Sequence, residues 1–76
     1  MTLLDVPNGK RARLVLVKGN LRSKLMQNGL HIGDTIRVLR SAPLGGPLLV
    51  EVNGREIALG RVVAEKIFVE VECESR

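Results

Sequence analysis

Apolar residues recur at every second position over several short stretches, and glycine or proline punctuates the gaps between them. Ala12, Leu14 and Leu16 fall on one face of residues 12–18, which predicts a first strand ending at Gly19. Residues 35–40 place Ile36 and Val38 inward and Arg37 outward as a second strand. In residues 48–52 Glu51 opposes Val50 and Val52, and in residues 55–59 Ile57 and Leu59 point inward. A fifth strand over residues 66–72 sets Ile67, Val69 and Val71 against Phe68, Glu70 and Glu72.

One stretch has a different period. Over residues 21–28, Leu21 and Leu25 stand four apart with Arg22 and Lys24 turned away, which predicts two turns of helix. Asn20 is positioned to cap its start, Gly29 suits the left-handed residue past its end, and Leu30 packs back across the last turn. So short a helix is unstable alone in water and must dock on a sheet. Turn chemistry supplies the rest. Pro7-Asn8-Gly9 is a turn, Asn53-Gly54 is a type I′ hairpin signal, and residues 60–65 form a connection with room for one helical turn. Pro43, Gly45, Gly46 and Pro47 rule out a central strand over residues 42–47, which are a loop. Five strands, tight turns and one helix predict a mostly β fold: a small SH3-like five-stranded partly open barrel with one short α-helix, since curling removes exposed edges.

A chain of 76 residues holds one core, so residues 1–76 are read as a single domain. The core is aliphatic: 45% of residues are apolar and Phe68 is the sole aromatic. The single cysteine, Cys73, argues for a reducing compartment rather than a stapled secreted domain. No apolar run approaches the roughly 20 residues that span a bilayer, and residues 1–10 lack the pattern of a signal peptide. The expectation is a cytoplasmic protein that is not inserted in a membrane.

Charge is uneven. Residues 1–40 carry eight Lys or Arg against Asp5 and Asp34, a net of +6; residues 41–76 carry four against six glutamates, a net of −2. The basic half is broken throughout by apolar residues, so a solvated strand-and-helix surface accounts for it. Candidate chemistry is sparse. His31 is the only histidine and lies beside a turn, Cys73 sits between Glu72 and Glu74, and Ser23, Ser41 and Ser75 have no partnering motif. An enzyme needs nucleophile, base and orienting group together, so none is expected. Glu70, Glu72 and Glu74 share one strand face but stand about 6.5 Å apart, a spacing for adventitious divalent metal at most. Gly45-Gly46 lacks the lysine of a phosphate loop. No cofactor is expected. Lys10, Arg11, Arg13, Lys18, Arg22 and Lys24 leave open an alternative as a basic nucleic-acid-binding barrel. Single-strand binders, however, stack bases on aromatic residues that this chain lacks, and nucleic acid is not the expected partner.

Taken in order, these signals resemble the FeoA family, small cytoplasmic proteins of ferrous iron uptake. The resemblance runs from Thr2 to Val71 and is carried by Leu3, Gly9, Ala12, Leu25, Gly29, Leu30, Gly33, Ala42, Pro43, Gly45, Pro47, Val52, Leu59, Ala64 and Ile67. Asn28, Ile32 and Gly46 depart from it, where the family commonly has leucine, proline and aspartate. The resemblance implies an SH3-like barrel and an accessory role to FeoB, the membrane ferrous iron transporter with a cytoplasmic GTPase domain. It implies neither iron binding nor GTP hydrolysis by this chain. Similar domains form the C-terminal part of iron-dependent repressors, which leaves a metal-responsive regulatory domain as a further alternative. The expected mode of action is docking on cytoplasmic regions of FeoB through the helix and the proline-stiffened loop. Leu21, Met26 and Leu44 are the candidate apolar contacts, Pro43 and Pro47 stiffen the loop that projects Leu44, and Arg22 and Lys24 steer an acidic partner.

Overall fold

The computed structural model describes residues 1–71. Five antiparallel strands form one curled sheet: β1 (Arg11–Val17), β2 (Thr35–Ser41), β3 (Leu48–Val52), β4 (Arg55–Leu59) and β5 (Ile67–Val71), in the order β4-β3-β2-β1-β5. The sheet does not close, because β4 and β5 do not pair. A short helix, α1 (Arg22–Gln27), follows β1, and a single helical turn, α2 (Arg61–Ala64), joins β4 to β5. The expected architecture is therefore present.

The inward alternation holds where the ladder is regular and fails where it is not. Ala12, Leu14, Ile36, Val38, Val50, Val52, Ile67 and Val69 are buried together. Leu16, expected beside Ala12 and Leu14, is exposed. The pairing with β5 steps from Leu14↔Val69 to Leu16↔Phe68, so β1 carries one extra residue there. That bulge turns Leu16 outward and leaves Val17 packed against the core. A second bulge at Leu39 lies between Val38↔Val50 and Arg40↔Leu49. Val71, at the end of β5, is exposed rather than inward. The hairpin at Asn53 and Gly54 has positive φ at both residues, 53° and 81°, as a type I′ turn requires.

Residues 1–10, which have no predicted element beyond the turn at Pro7, contribute to the core. A 3-10 turn at Leu3–Asp5 buries Leu3 completely, and the Thr2 N–H donates to Asp5 Oδ2 at 2.9 Å. Thr2 bridges Phe68, and the Val69 N–H donates to the Met1 carbonyl at 3.0 Å, so this segment runs along the outer edge of β5. The buried set among the described residues is wholly apolar. No helix among them is long and apolar enough to cross a membrane. Glu72, Cys73, Glu74 and Ser75 lie outside the described residues.

Candidate docking surfaces

The two segments expected to form one docking face lie at opposite ends of the barrel. At one end, α1 packs Leu25 and Leu30 into the core. Its C-terminus closes with the Gly29 N–H donating to the Met26 carbonyl at 3.0 Å and the Leu30 N–H to the Leu25 carbonyl at 2.9 Å, the paired bonds of a Schellman motif. Gly29 takes φ +86°, and a Cβ there would run into the Arg55 guanidinium. That guanidinium donates from Nη2 to the Asn28 carbonyl at 3.1 Å, tying the helix end to the start of β4.

The start of α1 differs from expectation. A 3-10 turn at Gly19–Leu21 precedes it, holding Asn20 at φ −95°, ψ 23°; the cap is Leu21, with no side-chain hydrogen bond. An N-cap side chain acts from an extended backbone, which the 3-10 turn denies Asn20.

The loop of residues 42–47 sits at the other end, beside Leu48↔Leu59. The length of β3, about 13 Å for its four steps, separates it from the Arg55 end. Two bonds hold it: the Ala42 N–H donates to the Pro47 carbonyl at 2.9 Å and the Gly46 N–H to the Pro43 carbonyl at 3.2 Å. Between them Leu44 and Gly45 both adopt positive φ, 59° and 76°. A leucine in the left-handed region costs about 1–2 kcal/mol. Leu44 is also fully exposed, at 103%. Gly46 permits the close turn, since a Cβ there would lie 2.6 Å from the Ala42 Cβ. The Arg61 Nε is buried without a hydrogen-bond partner among the described residues, and the Cδ of this side chain lies near Gly45.

Each end has a concavity. Arg22 and Met26 line one of about 190 Å³ beside α1, together with Val17, His31 and Ile32. Pro43 and Pro47 line a shallow one of about 300 Å³ on the outer face of the sheet, with Arg40, Leu49 and Ala58. Leu21 is half-buried, Lys24 is exposed, and neither they nor Leu44 line either concavity. The contributions of Arg40, Leu49 and Ala58 depend on cross-strand register and the bulge at Leu39, which alternation does not encode.

Charged groups elsewhere are dispersed. Arg13 pairs with Glu70 at 2.7 Å, both exposed, and Lys18 stands 5.0 Å from the centroid of Phe68. The exposed His31 donates its backbone N–H to Asp34 Oδ2 at 2.9 Å. Among the described residues no group of three or more His, Cys, Asp or Glu comes together as metal ligands would.

Comparison with known proteins adds independent findings. The protein-family model described as FeoA domain matches residues 1–71. A stretch of 47 residues is 38% identical to the putative Fe(2+) transport protein A of Methanocaldococcus jannaschii, covering 62% of this chain and 55% of that protein. The Fe(2+) transport protein A/Fe(2+) transporter FeoB fusion protein of Porphyromonas gingivalis is 33% identical over 73 residues, which are 93% of this chain and 9% of that protein. The matched segments thus span about half of one curated relative and under a tenth of the other. A crystal structure of an iron uptake regulatory protein (FeoA) superposes with a TM-score of 0.85 at 34% identity, over 95% of this chain and 97% of that one. The zinc complex of Stenotrophomonas maltophilia FeoA, described as a procaryotic SH3 domain protein, gives 0.78 at 28% identity, over 92% and 89%.

Proposed function

The chain belongs to the FeoA family, whose members take part in ferrous iron transport, and from that premise we propose that it is a cytoplasmic, non-enzymatic accessory protein that binds and modulates an FeoB-type transporter. The observation that carries this reading is the Porphyromonas gingivalis relative, where a segment similar to nearly all of this chain is fused to FeoB. Fusion holds two modules at high effective concentration, which is productive when they already associate.

Docking proceeds through the loop of residues 42–47. Pro43, Pro47 and two backbone bonds fix the loop before the partner arrives, so little ordering cost remains. Leu44 is held out in water at a backbone cost, and burying it in a partner pocket contributes about 1.5–3 kcal/mol. The α1 end, with Leu21, Arg22, Lys24 and Met26, lies away from this loop and contributes little to the contact.

Isothermal titration of this chain into the purified cytoplasmic region of an FeoB-type transporter tests the reading. A saturable complex is the expected result. Titrations at millimolar concentration with no heat, and no co-elution with the full transporter in detergent, overturn it.

A further inference from the structure

The two edges of the sheet are treated differently. The edge of β5 carries the N-terminal segment, through the bridge from Thr2 to Phe68 and the bond from the Val69 N–H to the Met1 carbonyl. Among the described residues nothing pairs with the outer edge of β4. β4 is short and carries Arg55 and Glu56, but it lacks the other usual protections. It contains no proline, and its five-residue pairing with β3 runs without a bulge.

Two cross-strand rows on the outer face end at this edge. One runs Arg40, Leu49, Ala58, along the shallow concavity. The other runs Arg37, Glu51, Glu56. Arg37 reaches Glu51 at 3.7 Å, whereas Glu56 has no ion-pair or hydrogen-bond partner among the described residues. Glu56 also faces Glu51 directly, a like-charge pairing that weakens a sheet. The rows end, from the core of the sheet outward, in an unpaired carboxylate and, two residues on, in a small side chain beside open apolar space.

We propose that the free edge of β4 is a strand-addition site for an extended protein segment that carries a basic residue and, two positions along on the same face, a large aliphatic one. The added backbone pairs with the outward N–H and C=O groups of β4. A residue opposite Glu56 stands with its Cβ about 4.5–5.5 Å away, and a lysine or arginine there completes the second row. The residue two positions along lies opposite Ala58, whose methyl leaves the space over Leu49 for a larger aliphatic side chain. A second copy of this chain does not supply this. Two-fold pairing about Ile57 sets Glu56 against Ala58, and pairing about Glu56 sets like charges together. The site adjoins the loop of residues 42–47, whose Pro43 and Pro47 line the same concavity, but it does not depend on the transporter reading.

The test uses the full chain, isotopically labelled, titrated with a blocked peptide of Lys-Thr-Val-Thr repeats, which sets lysine and valine two positions apart on one face. The control peptide carries glutamate in place of lysine. The chain has a net charge of +4, so bulk attraction favours the glutamate peptide and only a local site reverses that order. The lysine peptide is expected to shift the amides of Glu56 and Ala58, slow exchange along β4, and bind at least about fivefold more tightly than the control. Glu56→Lys is expected to invert the preference, and Glu56→Gln to remove it. Shifts absent from β4, shifts centred on α1, or equal affinity for both peptides overturn the proposal. Concentration-dependent shifts along β4 without peptide also overturn it, since they assign the edge to self-association.

Discussion

At the α1 end of the barrel, local structure and core packing agree; at the loop end they are in tension. Leu25 and Leu30 are buried, Gly29 supplies the left-handed residue that the helix stop demands, and Arg55 ties the closing turn to the sheet. The loop of residues 42–47 is equally well hydrogen-bonded, yet it holds a leucine in a left-handed conformation with its side chain wholly in water. A residue that gains nothing from the fold in either backbone or burial is one whose cost is repaid elsewhere. The same leucine-rich composition thus serves stability at one end and supplies, at the other, the contact proposed for recognition.

The comparison sharpens or breaks on measured stabilities. Leu25→Ala removes a buried side chain and is expected to cost about 2–5 kcal/mol by urea denaturation. Leu44→Ala is expected to stay within about 0.5 kcal/mol of the parent in the same experiment. Similar losses in both erase the distinction. Gly29→Ala comes next, at about 1–2 kcal/mol: it forces a Cβ into the left-handed region and displaces Arg55 from the Asn28 carbonyl. Leu44→Gly differs from these in sign. Relief of about 1–2 kcal/mol of backbone cost is partly offset by about 0.5–1 kcal/mol of added unfolded-chain entropy, so a slight stabilisation is expected. Clear destabilisation there contradicts a strained Leu44.

Strand count, the helix, both glycine turns and the bounds of β3 and β4 are legible in the sequence because alternation and turn chemistry are local signals. Leu16 breaks the pattern because a bulge is specified by the partner strand, not by β1. Asn20 has the residue type of a cap but not the backbone, since Gly19 leads the chain into a 3-10 turn. The candidate residues Leu21, Arg22, Lys24, Met26, Pro43, Leu44 and Pro47 are legible as exposed or partly exposed positions, but their division between two ends is not. That division follows from which strand ends are neighbours, a property of the sheet order. The edge of β4 and its row through Leu49 and Arg40 depend on the same long-range pairing.

The central claim is that recognition belongs to the loop end. Its most direct test is the affinity of an FeoB-type cytoplasmic region for the parent chain, Leu44→Glu and Met26→Glu, compared in one titration series. Each variant is first checked for an unchanged denaturation midpoint. Leu44→Glu is predicted to weaken binding at least about tenfold, the loss of a buried apolar contact and the burial of a charge, while Met26→Glu stays within about threefold. Unchanged affinity for a folded Leu44→Glu, with the loss falling on Met26→Glu, would contradict the account and place recognition at the α1 end.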